Sequence, residues 1–202
     1  FATQSIILGL SMLLTNNKII GCLEPKAFTV IGIGKLFGLP LPIYVMAVIA
    51  FISYFILNRT AIGRYVYAVG GNPEASRISG ISDKGIIIMS YVFSGVTAAI
   101  GGIVLASMTQ QGMASTGKGY ETEVITAAVI GGVSLAGGEG RVQGAIFGAV
   151  LVGLLNNGMN LLNVPSTDVG LVKGLVIIAA VAVDILGRKE KQRGVASLFK
   201  RK

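Results

Sequence analysis

Residues 86–108 read IIIMSYVFSGVTAAIGGIVLASM, a run of 23 residues without a charged side chain. A helix that crosses the hydrocarbon core of a bilayer needs about 20 predominantly apolar residues, so this run is long enough to span a membrane by itself. Small residues recur in it, among them Gly95, Gly101 and Gly102, and small residues let membrane helices approach closely. The stretch predicts a transmembrane helix that packs against other helices.

Further apolar stretches predict the rest of the architecture. Residues 43–57 are apolar apart from Ser53 and follow Pro40 and Pro42. Because several such stretches alternate with polar loops, the expected fold class is an all-α membrane protein, a polytopic bundle of about six transmembrane helices. The remaining predicted spans are 1–14, 120–136, 142–162 and 169–186.

Composition supports this class and excludes others. Of 202 residues, 52% are hydrophobic and 13% are charged, and the mean hydropathy is +0.75. A soluble domain carries about 25% charged residues, so lipid must be the solvent for much of this surface. The chain has no histidine and a single cysteine, Cys22, which excludes an internal disulfide and the commonest metal ligands. We expect no catalytic residue, no metal site and no cofactor in this chain.

Basic residues indicate the orientation, because cytoplasmic loops of membrane proteins carry an excess of Lys and Arg. The loop 58–84 carries four basic residues, and the tail 188–202 carries seven against Glu190 alone. We expect a transmembrane domain over 1–187 with 58–84 as a cytoplasmic loop, followed by a basic cytoplasmic tail, so that the C-terminus is inside. The net charge of +8 then needs no nucleic-acid partner.

The loop contains the signals of a short helix over 73–79. Asn72 is suited to cap it, Pro73 to occupy its first position and Glu74 to meet the positive end of its dipole. Gly80 is placed to end it.

A helix of this length is stable only when it packs against something. Either it docks on a partner protein, or it lies on its own subunit at the membrane surface, and physical reasoning leaves both open. Gly70 and Gly71 before it predict a sharp bend.

Several motifs, in order along the chain, resemble the ribose/galactose/xylose-type ABC transporter permeases, the transmembrane subunits of sugar importers. The resemblance covers about residues 1–184 and is specific because separate motifs carry it. They are GRYVYAVGGNPEA at 63–75, SGI at 79–81, GYE at 119–121, VIGGVSLAGGEG at 129–140 and LLNNGMNLL at 154–162.

The resemblance implies a permease of about ten helices in a bacterial plasma membrane, with a second permease copy, two cytoplasmic ATPases and an extracytoplasmic sugar-binding protein as partners. The chain starts at Phe1 without a signal peptide, so we expect an N-terminal truncation that removes roughly four helices of the family pattern. The loop 58–84 then corresponds to the coupling loop that contacts the ATPase. Its candidate residues are Gly63, Arg64, Gly71, Asn72, Pro73, Glu74, Ala75, Arg77 and Gly80.

The chain itself is not expected to hydrolyse ATP. A phosphate-binding loop requires Gly-x-x-x-x-Gly-Lys-Ser/Thr after a strand. The nearest approach, GIGKL at 32–36, lacks the first glycine and the hydroxyl residue. Energy must therefore come from a partner subunit.

Polar residues in the predicted spans are candidates for the translocation pathway, because they are costly at membrane depth. Asn156, Asn160 and Asn163 follow one another at helical spacing and either line the pathway or tie helices together. Tyr120 and Glu121 stand at the predicted outer mouth and either meet the incoming sugar or form plain surface.

Glycines at four-residue spacing predict helix packing. The candidates for such contacts are Gly140, Gly144 and Gly148.

Other functions are weaker matches to these residues. A related ABC permease for branched-chain amino acids or nucleosides is the nearest alternative, since only the motif resemblance favours a sugar. A non-transporting structural membrane protein is a further one, but it would not need a capped helix in its longest cytoplasmic loop.

Overall fold

The computed structural model describes residues 2–21 and 26–163, together with positions 165, 170, 171, 174, 175, 178 and 182. Each strand in this part of the chain is two residues long; β1 pairs with β4 and β2 with β3, both antiparallel. Helices therefore carry the fold, and the predicted all-α class is confirmed. The elements are α1 (Ala2–Thr15), β1 (Ile20–Gly21), α2 (Lys26–Ile33), β2 (Lys35–Leu36), β3 (Leu39–Pro40), α3 (Leu41–Arg59), α4 (Ala61–Gly71), α5 (Pro73–Ile78), α6 (Asp83–Thr109), β4 (Gln111–Gly112), α7 (Tyr120–Ile130) and α8 (Val142–Leu161).

Three of these helices are long and apolar enough to cross a membrane: α3 with 19 residues, α6 with 27 and α8 with 20. They contain or closely match the predicted spans 43–57, 86–108 and 142–162. At 1.5 Å per residue, α6 is about 40 Å long, more than the hydrocarbon core of about 30 Å requires. The chain is a polytopic helical membrane protein.

The predicted span 120–136 is wrong as one continuous helix. Helix α7 has 11 residues and ends at Ile130, so it is about 16 Å long, roughly half the hydrocarbon core. Gly132 takes a left-handed φ of 79°, and the Gly132 and Val133 amides donate at 2.9 Å to carbonyls three and five residues earlier. This Schellman pattern closes the helix and turns the chain.

The predicted spans at the two ends of the chain are matched less completely than the central ones. Helix α1 has 14 residues, close to the predicted 1–14 but shorter than a full crossing. The predicted last span 169–186 and the tail 188–202 lie outside the described residues, apart from the isolated positions named above.

The loop 58–84 contains two helices where one was predicted. Helix α4 precedes α5, and its apolar residues Ile62, Val66 and Val69 recur at helical spacing. The predicted bend at Gly70 and Gly71 is wrong, because both residues belong to the last turn of α4. Helix α4 ends at Gly71, and the chain changes direction at the next residue, Asn72, whose extended backbone has φ −154°.

The chain forms two compact units. The first comprises Phe1–Thr60 and Ser82–Tyr120, and within it α2 packs closely against α6. The fully buried Ser107 hydroxyl donates to the Phe28 carbonyl. A Cβ on Gly32 would lie 2.7 Å from the Ser107 hydroxyl oxygen, so only glycine lets the two helices approach this closely.

The second unit comprises Ala61–Ile81 and Glu121–Lys202, and its core lies where α8 crosses the end of α7. A Cβ on Gly148 would lie 2.9 Å from the backbone nitrogen of Gly131, and one on Gly131 would lie 2.8 Å from that of Ala145. Ala127 and Val152 are buried beside this backbone contact. Small residues thus set the helix separation.

Large apolar side chains of the long helices lie on the outside. Phe51 on α3 is 69% exposed and Tyr91 on α6 is 76% exposed. In water such an arrangement would be unfavourable, whereas in a bilayer it places apolar groups in an apolar solvent.

Candidate functional site

Helix α5 begins as the sequence predicts. The Asn72 side-chain oxygen accepts a hydrogen bond from the Ala75 backbone amide at 3.0 Å, and Pro73 occupies the first helical position. Glu74 lies in the first turn and Arg77 in the last, the placement that complements the helix dipole. The cap and the charges together stabilise a helix that is otherwise too short to persist.

The end of α5 is equally well defined. Gly80 has a φ of 81°, a conformation that side chains with a Cβ resist. Its amide donates to the Arg77 carbonyl at 3.0 Å, and the Ile81 amide donates to the Ser76 carbonyl at 3.0 Å. This pattern ends the helix at Ile78, one residue earlier than predicted.

The two sides of α5 differ in exposure. Ser76 is 5% exposed, and its hydroxyl donates to the Asn72 carbonyl at 2.9 Å. Ile78 is 83% exposed, and Glu74 and Arg77 are exposed as well. The helix therefore has one buried side, at Ser76, and presents charged and apolar groups with the other.

Helix α4 lies against the glycine-rich turn that precedes α8. The Tyr67 hydroxyl donates to the Gly140 carbonyl at 2.9 Å. A Cβ on Gly70 would lie 2.7 Å from the backbone nitrogen of Gly138. Gly63 is buried, whereas Arg64 is exposed, so the predicted coupling residues divide between the packed and the open side of the loop.

A cavity of about 490 Å³ opens beside this contact. Its wall combines the Tyr67 ring, the charged residues Glu139 and Arg141, and glycine backbone from the turn and the start of α8. It was not predicted from the sequence, because its wall joins segments that are far apart along the chain.

The candidate pathway residues fall into two groups. Tyr120 begins α7 and is 49% exposed, and Glu121 lies in the first turn of the same helix. Asn156 and Asn160 lie one turn apart on α8. Asn160 is exposed, whereas the Asn156 side-chain oxygen is buried and has no hydrogen-bond partner among the described residues.

The predicted stripe of three asparagines on one helix is wrong for Asn163. Helix α8 ends at Leu161, and Asn163 lies two residues beyond it with a left-handed φ of 53°. Asparagine tolerates this conformation because its short polar side chain bonds locally. The stripe therefore consists of Asn156 and Asn160.

The predicted glycine stripe is wrong for its first member. Gly140 precedes α8, because Arg141 is extended with φ −138° and the helix starts at Val142. Gly144 and Gly148 lie on α8, and their backbones contact those of Gly131 and Ala127 at the end of α7.

A family model described as "Branched-chain amino acid transport system / permease component" matches residues 3–181. The chain belongs to this permease family.

Individual relatives agree with the assignment. The permease is 40% identical over 182 residues to the ribose import permease protein RbsC of Escherichia coli strain K12, a match that covers 89% of this chain and 57% of the relative. It is 39% identical over 191 residues to the L-arabinose transport system permease protein AraH of the same strain, covering 95% and 58%. It is 38% identical over 169 residues to the xylose transport system permease protein XylH of Haemophilus influenzae, covering 81% and 45%. This permease chain thus spans a little over half the length of the first two relatives.

No solved structure matches the permease.

The first unit of the permease also holds a cavity of about 780 Å³ between α1, α6 and the loop after β4. None of the residues that line this cavity is among the candidate site residues predicted from the sequence. The sequence contains only a weak indication of this cavity. Gln4 and Ser11, which are both polar, lie seven residues apart in the apolar helix α1 and so share one face.

Proposed function

We propose that this chain forms part of the transmembrane permease subunit of an ABC importer that moves a monosaccharide across the bacterial plasma membrane. The observation that carries the proposal is the 40% identity to a ribose import permease over 182 residues. Relatives named for arabinose and xylose transport match to a similar degree. The chain is a translocation subunit and not an enzyme.

The partners follow from this role. ATP hydrolysis belongs to separate cytoplasmic ATPase subunits, a binding protein outside the membrane delivers the sugar, and a second permease copy completes the assembly. In this proposal the open side of α5 docks on the ATPase. The support for this docking is the form of α5, a capped helix that is buried at Ser76 on one side. On the other side Ile78, which is 83% exposed, lies beside Glu74 and Arg77.

The pathway residues have a defined part in this proposal. The buried oxygen of Asn156 accepts a hydrogen bond from a sugar hydroxyl during passage, because an unsatisfied buried acceptor costs about 1–3 kcal/mol. Asn160 continues the same face of α8. Tyr120 and Glu121 meet the sugar at the outer mouth.

The first prediction concerns the substrate. The full-length permease, reconstituted in vesicles with its ATPase and binding protein, should accumulate labelled ribose, arabinose or xylose when ATP is supplied. Leucine, tested in parallel because the family description names branched-chain amino acids, should not accumulate. Vesicles without ATP provide the control for leakage. Uptake of leucine and of none of the pentoses would establish the amino-acid alternative instead.

The second prediction concerns orientation. In a Cys22→Ala background, a cysteine introduced at the exposed Ser79 should react with a membrane-impermeant thiol reagent only in inside-out vesicles. One introduced at the exposed Thr116, in the loop before α7, should react only from the outer side. Ser76 is unsuitable because it is 5% exposed. The opposite labelling pattern would refute a cytoplasmic loop 58–84.

A further inference from the structure

At Gly70 and Gly71, the contact between α4 and the turn before α8 is made by backbone. A Cβ on Gly138 would lie 2.6 Å from the Gly71 Cα, and one on Gly70 would lie 2.7 Å from the Gly138 nitrogen. Both distances are shorter than a real Cβ contact allows. The approach therefore requires glycine on each side, and any relative displacement of the two segments changes a contact that has no flexible side chain to absorb it.

The turn itself is braced. Gly137 and Gly138 have φ values of 87° and 74°, which fix the backbone in a conformation that glycine adopts readily. The Ser134 amide donates to the Glu139 carbonyl at 2.9 Å, and the Gly137 amide donates to the Ser134 carbonyl at 3.2 Å. The turn thus forms a compact, internally hydrogen-bonded block.

This block is attached to both helices that flank it. Gly140, at its end, lies so near Val133 that an added Cβ would be 3.2 Å from that side chain. Gly131, where α7 ends, contacts the backbone of Gly144 on α8. The turn is therefore packed on the segment that follows α7 and leads directly into α8, and α7 and α8 contact each other beside it.

On its other side the block is connected to α5 through α4. The Tyr67 hydroxyl donates to the Gly140 carbonyl at 2.9 Å across 73 residues of sequence. The Asn72 amide donates to the Ala68 carbonyl at 3.0 Å, and the Ser76 amide to the Asn72 carbonyl at 3.1 Å. Val69, which follows Ala68 in the last turns of α4, is only 4% exposed.

We propose that the turn 137–140 is the relay through which movement of α5 reaches α7 and α8, and that Tyr67 is the positioning residue that holds α4 on it. The proposal rests on the proposed function, in which α5 docks on the ATPase. It adds the element inside the permease that receives the movement. Coupling between distant sites travels through packed side chains, hydrogen bonds and rigid elements, and the turn with Tyr67 supplies such a connection from α5 to α8.

The test uses two variants, each with a matched control, in the full-length permease reconstituted with its ATPase and binding protein. Tyr67→Phe removes only the hydroxyl, and Tyr65→Phe makes the same change on a 42% exposed ring of α4. Gly138→Ala adds a methyl group at the contact. Gly38→Ala adds one at φ 85°, where the described residues leave open space, and so controls for backbone strain.

Four quantities are measured: copurification of the ATPase, ATP hydrolysis, sugar uptake, and thermal stability of the permease. We expect Tyr67→Phe to keep association and hydrolysis but to lower uptake per ATP by about three- to tenfold. Gly138→Ala should lower the same ratio by about tenfold or more. Tyr65→Phe and Gly38→Ala should leave the ratio unchanged.

The outcomes separate the relay from the proposed function. A wild-type ratio in Tyr67→Phe overturns the relay, even if Gly138→Ala fails to fold. A fall of uptake and hydrolysis in the same proportion also overturns it, because the contact would then serve only assembly. If the wild-type assembly itself neither binds the ATPase nor imports sugar, the proposed function fails and the relay fails with it.

Discussion

Reversing both charges of α5, in the Glu74→Lys, Arg77→Glu double variant, should remove most of the proposed ATPase partner from the purified permease and most of the proposed sugar uptake. Both side chains are exposed on the open side of a helix held at Ser76, and a well-buried interface contact is worth about 1–3 kcal/mol. Two such losses weaken docking by about thirtyfold or more. Membrane insertion should be unaffected, because the two substitutions lie outside the helices that are long and apolar enough to cross a membrane.

The measurement is copurification of the ATPase from detergent-solubilised membranes, followed by uptake in vesicles. Lys35→Glu reverses a charge on an exposed residue of the β2–β3 hairpin and serves as the matched control. Wild-type association together with wild-type uptake in the double variant would mean that 58–84 is only a linker.

Gly148→Ala should destabilise the permease, although alanine ordinarily stabilises a helix interior by about 0.5–1 kcal/mol relative to glycine. The added Cβ would overlap the Ala127 carbonyl and lie 2.9 Å from the Gly131 nitrogen. Backbone cannot rotate away as a side chain does, and overpacking costs about 1–3 kcal/mol. The overpacking term exceeds the helix-propensity term, so we expect a net loss of about 1–2 kcal/mol.

Gly153→Ala provides the control on the same helix, since the described residues leave open space where its Cβ would lie. Thermal unfolding in detergent should show a lower midpoint for Gly148→Ala and an equal or higher one for Gly153→Ala. Equal unfolding midpoints in the two variants would show that the backbones of α7 and α8 lie further apart than in the structure.

The elements predicted best from the sequence are those whose signals are local. The start of α5 depends on Asn72, Pro73 and Glu74, whose effects act within one helical turn. Helix α6 depends on a long uncharged run and was predicted to within three residues at each end. In both cases neighbours in sequence supply the stabilising interactions.

The failures have physical causes of two kinds. Hydropathy averaged over 120–136 concealed the helix end at Ile130, because Val133, Leu135 and Ala136 beyond it are also apolar. Helix α4 was missed because a half-apolar helix with arginine in it does not register as a span.

The contact between Tyr67 and Gly140 is a failure of the other kind. It joins residues 73 apart, so no local pattern contains it. The motifs around both residues were nevertheless singled out by their resemblance to the sugar permeases, although that resemblance did not say that they touch.

The placement of side chains outside and inside the helices has a thermodynamic consequence. Many of the buried residues are small or polar, such as Ser107, Thr126 and Ala127, whereas many large apolar residues, such as Phe51, are exposed. In a micelle those large groups remain in hydrocarbon whether or not the helices are packed together. The heat capacity of unfolding reflects apolar surface newly exposed to water, and it reaches about 12–15 cal/mol/K per residue in soluble domains. For this permease it should be far smaller, so its stability should change almost linearly with temperature and should not weaken on cooling.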